Sequence, residues 1–285
     1  MKTPKRLVPL IEDGVIDAVV RQLMSGKEAM VFVVRCGREV RCAKVYKEAD
    51  KRSFRQAVDY TENRKTKNSR QARAMAKGTR FGREAQERAW QSAEVDALYR
   101  LAAAGVRVPR PFNFHEGVLL MELVVDAHGD AAPRLNDVEF TAAQALGHHA
   151  ALIREVVRML CAGVIHGDLS EYNILLGAEG PVIIDLPQAV DAAGNNHAFA
   201  MLERDVGNLR NFFGRYAPEI LATDYGREMW ALYEAGALTA AAALTGHFER
   251  VEKEVDLESV VREIDDAILD EKARQLARLD AAGEA

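Results

Sequence analysis

His166-Gly167-Asp168-Leu169-Ser170-Glu171-Tyr172-Asn173 places a carboxylate and an amide five positions apart, and Ile183-Ile184-Asp185 follows. Moving a phosphoryl group from ATP needs metal ions bridging the phosphates and a carboxylate near the attacking oxygen. This spacing supplies both. Asp168 can orient or deprotonate the acceptor, Asn173 can hold a metal, and Asp185 adds the second metal-binding carboxylate. Two short apolar runs, 174–176 and 182–184, flank the turn Gly177-Ala178-Glu179-Gly180 and predict a hairpin. That hairpin would carry Asn173 and Asp185 to one edge. Simple loop capping would not call for four polar residues at this spacing between apolar strands. His166 is read as structural.

Lys44, in Arg41-Cys42-Ala43-Lys44-Val45-Tyr46, sits in a β-rich run and resembles the strand lysine that pairs ATP phosphates with a helix glutamate. A lone strand lysine is usually a solvated residue, so a partner is required. Glu94 borders the apolar face of a predicted helix, where a carboxylate needs a cation. Glu87 is the alternative partner. The lysine head group is expected at a cleft rather than in the core. Ser25-Gly26-Lys27-Glu28-Ala29 is not a Walker A loop and lacks a G-x-G-x-x-G pattern. Its glycine, hydroxyl and lysine can still offer N–H groups and charge to phosphates.

Certain elements must position these groups. Val15, Ile16, Val19, Val20 and Leu23 have helical spacing and predict a helix over 11–23. Runs 29–34 and 40–46, split by Arg35-Cys36-Gly37-Arg38, predict a hairpin. Segment 51–83 carries eleven Lys and Arg residues against Asp59 and Glu62, and is read as a mobile loop or a helix that orders with a partner. A helix over 84–104 buries Trp90, Ala93, Ala97, Leu101 and Ala104 and stops at Gly105. A strand follows over 118–125, then a linker over 135–140. Thr141 caps a helix reaching Cys161, with Leu146, Ile153, Val156, Val157 and Leu160 on its apolar face. Beyond Phe199 the pattern is helical, including an amphipathic stretch over 257–279. The fold class is α+β: a small β-rich N-lobe over 1–125 and a helical C-lobe over 126–285.

At 285 residues the chain can bury a sizeable core without disulfides. Its net charge of -5 is unevenly spread and excludes no partner class. Cys36, Cys42 and Cys161 form no C-x-x-C pair and read as thiols in a reducing compartment. No apolar run nears the ~20 residues of a membrane span, and no signal peptide is read at the N-terminus. A cytoplasmic location without membrane association is expected.

Taken together, the segments 25–29, Lys44-Val45-Tyr46-Lys47, 166–173 and Ile184-Asp185 resemble the RIO kinases over residues 7–213. Ser170 stands where typical protein kinases carry a basic residue, and Asp185-Leu186-Pro187 replaces Asp-Phe-Gly. No winged-helix domain is expected before the nucleotide loop, which points to the first RIO subfamily. The resemblance implies a two-lobed, protein-kinase-like fold and serine/threonine kinase activity dependent on ATP and Mg2+, with Mn2+ a possible substitute. It implies autophosphorylation and, in some members, ATP hydrolysis through an aspartyl-phosphate, here on Asp185. Ser25, Gly26, Lys27 and Lys44 would then hold the nucleotide's phosphates, with Glu94 pairing Lys44 in the nucleotide site. The hinge holding adenine by backbone groups would include Met121, Glu122 and Val124. Asp205 would brace the catalytic loop. Two rival readings accompany it. One is an aminoglycoside- or choline-type small-molecule kinase. The other is a nucleotide-gated switch in ribosome assembly, acting as an ATPase and touching RNA through its basic segment.

Overall fold

A computed structural model describes residues 3–26, 28–47 and 93–248, and those up to His247 belong to one compact unit. The expectations for 51–83, for the first part of the 84–104 helix and for 257–279 lie outside the described residues. A short helix, α1 (Val8–Glu12), precedes three strands, β1 (Ala18–Ser25), β2 (Ala29–Cys36) and β3 (Glu39–Tyr46). Residues 93–103 form α2, followed by β4 (Pro111–His115) and β5 (Val118–Glu122). These strands make one antiparallel sheet in the order β1-β2-β3-β5-β4. Gly37 stands at φ +64°, which suits a residue without a Cβ, so Gly37-Arg38 alone can join β2 to β3.

The helix expected over 11–23 is not there. The chain leaves α1 at Gly14 (φ +68°) and enters β1, which pairs with β2 from Ala18↔Arg35 to Ser25↔Met30. Register shifts between Val19/Arg21 and Gln22/Met24 interrupt the two-residue alternation of the strand, leaving a spacing that imitates a helix. β-branched Val19 and Val20 suit the sheet. The segment 25–29 therefore joins two strands, not a helix and a strand. β4 was not expected either. It begins at Pro111 and lies at the sheet edge, where a missing N–H is tolerated.

Alternation in the sheet decides which residues reach the cleft. Phe32, Val34, Ala43, Val45, Val118 and Leu120 pack with Leu7, Leu10 and Ile16 into one buried cluster. Lys44, Tyr46 and Leu119 consequently face the other way, and Tyr46 and Leu119 join the larger core shared with α2 and the second lobe. α2 buries Glu94, Val95, Leu98 and Leu101. Its buried face is rotated from the expected one, and Ala104 is exposed past the helix end.

The second lobe is built on α3 (Ala142–Cys161), α4 (Ala198–Phe213) and α5 (Tyr225–Glu234), with short strands β6 (Val164–Ile165), β7 (Ile174–Gly177), β8 (Gly180–Ile183) and β9 (Val190–Asp191). Together the lobes make the two-lobed α+β architecture that was expected. Leu135–Asp137 is a 3-10 turn anchored by fully buried Leu135. Thr141 caps α3 through a reciprocal pair: Gln144 N–H donates to Thr141 Oγ1 at 3.3 Å, and Thr141 N–H donates to Gln144 Oε1 at 3.0 Å. Leu146 is exposed rather than buried, because the packed stripe runs through Ala145, His149 and Leu152. Beyond α5 the chain is not helical over 235–248.

His149 sits on α3 between the rings of Phe213 and Tyr225, with centroids at 5.8 and 5.7 Å, and its Nε2 has no described partner. Burial pushes its pKa down to about 4. A folded value below the unfolded ~6.5 means that its contribution is complete above pH 6.5 and is lost as pH falls toward 4. We expect wild type to lose about 2 kcal/mol more than His149→Leu between pH 7 and pH 5, read by urea unfolding at both pH values. Equal losses in the two proteins would disprove it.

Candidate functional site

Lys44 projects from β3 into the space between sheet and helical lobe. Its Nζ lies 2.5 Å from Glu94 Oε1 and 2.9 Å from Asp185 Oδ1. Glu94 comes from α2, fifty residues along the chain, and its second oxygen accepts a hydrogen bond from the Tyr46 hydroxyl at 2.7 Å. Burial works against the Lys44 charge, yet Glu94 and Asp185 outweigh it and hold the ammonium well above the usual lysine range. Lys44 and Glu94 are only 13% and 6% exposed at their side chains, so this ion pair is buried at the wall of the cleft that Lys44 lines. Glu87 lies outside the described residues. Tyr46 was missed in the sequence reading. Its signal was its place two residues after Lys44, on the same face of the strand.

The loop from His166 to Asn173 is held from behind. Asp205 on α4 is buried, and its two oxygens accept hydrogen bonds from Gly167 N–H at 2.8 Å and Leu169 N–H at 2.9 Å. Asn208 Nδ2 adds a bond to Leu169 O, and Arg204 bonds Gly167 O. His166 is buried and bonds Ile184 O at 3.0 Å through Nε2, while Nδ1 accepts from Asp168 N–H at 3.3 Å. These contacts give His166 a scaffolding part between the loop and the strand leading to Asp185. The exposed Asp168 carboxylate is left facing the cleft, with Asn173 Nδ2 on the Asp168 carbonyl at 2.8 Å.

Burial pushes the Asp205 carboxyl up to about 6, with His166 and the two backbone N–H groups pulling the other way. The folded state thus binds this proton more tightly than the unfolded chain does. Its own contribution to stability is complete below the ordinary Asp value and is lost as pH rises through 6. Function runs in the opposite sense, since a protonated oxygen no longer accepts from the loop. We expect a loss of activity as pH falls through about 6. Asp205→Asn should cut turnover about 10–100-fold at pH 7.5 and abolish that acid limb, because an amide can accept only one of the two N–H bonds. An unchanged pH profile in the variant would refute the bracing role.

Asp185 follows β8, and Ile184 N–H donates to Asn173 O at 2.9 Å, so the hairpin brings the two proposed metal residues to one edge. Asp185 lies at φ +67°, a left-handed conformation costly for a residue other than glycine. Buried Leu186 and Pro187 anchor the chain just beyond it. Partial desolvation works against the Asp185 charge, but Lys44, then His166 and Arg134, hold its carboxyl below the usual range. Among the described residues no three His, Cys, Asp or Glu side chains cluster as a metal site. A carboxylate and an amide oxygen instead fit a hard divalent cation that completes its shell with phosphate oxygens and water. Asn173 Nδ2 is spent on the Asp168 carbonyl, so only its Oδ1 could serve such a cation.

A cavity of about 720 Å³ connects these groups, lined by Lys44, Asp168, Asn173 and Asp185 at one end and by Met121, Glu122, Leu123 and Val124 at the other. Gly26 also lines it, but Gly26 N–H donates to Ala29 O at 2.9 Å and Gly26 O accepts from Lys47 Nζ at 2.5 Å. The loop is therefore tied down at Gly26, and Ser25 belongs to β1, paired with Met30. Lys27 lies outside the described residues. At the other end Val124 O accepts from Ala132 N–H. The backbone N–H of Glu122 donates to Arg110 O at 2.8 Å, and its side chain is also committed. It takes two bonds from the Arg107 guanidinium at 2.8 and 2.9 Å and one from Arg110 N–H at 3.0 Å. Arg107 N–H in turn donates to Glu155 on α3, and Arg107 O accepts from Ile183 N–H on β8. One residue thus joins β5, α3 and the hairpin. Nothing in its local sequence announced this, because its partners come from three separate elements.

A family model described as the RIO domain matches residues 30–225. The chain is 39% identical over 210 residues to the "RIO-type serine/threonine-protein kinase Rio1" of Haloferax volcanii, covering 72% of this chain and 67% of that protein. It is 33% identical over 193 residues to the protein of the same name from Methanocaldococcus jannaschii, covering 67% of this chain and 61% of the relative. It is 29% identical over 221 residues to the "Serine/threonine-protein kinase rio1" of Schizosaccharomyces pombe, covering 75% of this chain and 42% of the relative.

Proposed function

The chain belongs to the RIO domain family, and from that membership we propose that it is an ATP-dependent serine/threonine protein kinase of the Rio1 kind. The observation that carries this reading is the meeting of Lys44, Asp168, Asn173 and Asp185 around one cavity, with buried Glu94 paired to Lys44, from elements scattered over the whole unit. Asp168 takes the proton of a serine or threonine hydroxyl as its oxygen bonds the γ-phosphorus. The bond from that phosphorus to the β–γ bridging oxygen breaks, and ADP leaves. Lys44, steadied by Glu94, faces the phosphates. Asn173 and Asp185 would hold Mg2+, or Mn2+ in its place. Such an ion, when bound, would supply positive charge against the phosphate oxygens. Met121, Glu122 and Val124 would receive adenine by their backbone, with Ser25, Gly26 and Lys27 over the phosphates. A hydroxyl of the same chain is one acceptor, giving autophosphorylation.

The lobe boundary is placed between residues 125 and 126. No described helix is long and apolar enough to cross a membrane. The free thiols Cys36, Cys42 and Cys161 suit a cytoplasmic protein. Incubation with γ-labelled ATP and Mg2+ tests the reading. Acid-stable label on serine or threonine is expected. Label released only as phosphate, with a hydroxylamine-labile fraction on Asp185, would favour the ATPase switch instead. Transfer only to an added aminoglycoside or choline would overturn the protein-kinase reading.

A further inference from the structure

Arg134 lines the same cavity but has no part in the reading above. It lies on the stretch that follows the hinge, and its backbone is pinned to the hairpin: Arg134 bridges Leu175, and Leu176 N–H donates to Pro133 O at 2.8 Å. Its side chain crosses the cleft mouth to β1, where Nη2 stands 3.0 Å from Met24 Sδ. Among the described residues that thioether is its one hydrogen-bond partner, and no carboxylate lies within ion-pair distance.

A thioether is a weak acceptor and leaves most of a guanidinium's five N–H donors unused. Elsewhere in the unit, Arg107 is held by Glu122 and Arg227 by Glu203. Arg134 is a cation at a cavity wall, held in place by its backbone; it acts on Asp185 through space but makes no ion pair among the described residues. Its position indicates which anion it would meet. Met24 is two residues from Gly26 of the nucleotide loop, and Leu175 is two residues from Asn173. The guanidinium therefore lies between the loop over the phosphates and the hairpin bearing the metal residues. Planar, bidentate donors of this kind match phosphate oxygens.

We propose that Arg134 binds the phosphate chain of the nucleotide, turning from Met24 onto it as a second cation beside Lys44. This rests on the kinase reading, and the test keeps the two apart. Calorimetry with adenosine, ADP and ATP, each with Mg2+, is carried out on wild type, Arg134→Met and Arg134→Lys. For Arg134→Met we expect affinity for ADP and ATP to fall about 10–100-fold while adenosine binding stays within about twofold. Arg134→Lys should recover part of the loss, and a thermal melt without ligand should show both variants folded. Should Arg134→Met fail to fold, the comparison of Arg134→Lys and Arg134→Gln with wild type carries the same expectation with smaller steps. Equal losses for adenosine and ADP would overturn the proposal, since the arginine would then be supporting the cavity wall or the base. Unchanged ADP and ATP affinity would overturn it too. A wild-type protein that binds none of the three would bring down the kinase reading itself.

Discussion

Asp168→Asn should leave ATP affinity within about twofold of wild type while lowering phosphoryl transfer by about 10²–10⁴-fold. The exposed Asp168 carboxylate makes no ion pair with Lys44, whose charge is taken by Glu94 and Asp185. Loss of its charge therefore leaves the neighbouring charges where they are. Nor should the loop collapse. Its shape is held by Asp205 on Gly167 and Leu169 and by His166 on Ile184, and an amide at 168 still leaves its carbonyl to Asn173. Only the group that accepts the acceptor's proton is lost. Fluorescent ATP-analogue titration beside a label-transfer assay separates the two quantities. Near-wild-type transfer would remove Asp168 from the chemistry, and a parallel loss of binding would mean that it holds the nucleotide instead.

The second large effect concerns Lys44 and Glu94 taken as a unit. Lys44→Met and Glu94→Gln should each lower activity by about 10-fold or more, with the double variant little worse than Lys44→Met alone. The three-way contact explains the direction. Without Glu94 the ammonium keeps Asp185 as its partner at 2.9 Å, so it stays charged but is drawn toward Asp185 and away from the proposed phosphate position. Stability supplies an independent readout. Lys44→Met leaves a buried Glu94 carboxylate with only the Tyr46 hydroxyl, and removing one partner of a buried pair costs about 3–5 kcal/mol. Glu94→Gln added to Lys44→Met removes that stranded charge, so the double variant should be the more stable of the two. Urea unfolding of all four proteins would show it. Additive losses of activity, or a double variant less stable than Lys44→Met, would contradict a coupled buried pair.

The outcome for α2 shows why Glu94 could be identified from sequence while its surroundings could not. Its place beside an apolar helix face demanded a cation, and a β-strand lysine was available. That it lies inside the packed face, with Tyr46 on its second oxygen, follows from how the helix is rotated against the sheet. Rotation is set by Val95, Leu98 and Leu101 filling the core together, a condition no single segment contains. The misread segment 11–23 has a related cause. Its apolar spacing fitted a helix, and only pairing with the hydrogen-bonding edge of β2, the next strand, draws it into a strand with two irregularities.

What the sequence by itself determined was local and covalently spaced. The five-residue step from Asp168 to Asn173, the hairpin that returns to Asp185, the alternation that turns Lys44 away from Ala43 and Val45, and the Thr141 cap all act within a few residues. Backbone geometry there follows from residue type and period alone. The tertiary structure decided the rest: the burial of Lys44 with Glu94, Asp205 reaching the loop from α4, Arg107 tying β5 to α3 and β8, and Arg134 stretched across the cleft to Met24. Each of these joins charges or donors from distant segments. Coulomb attraction and desolvation depend on separation in space, and that separation exists only once both lobes have packed.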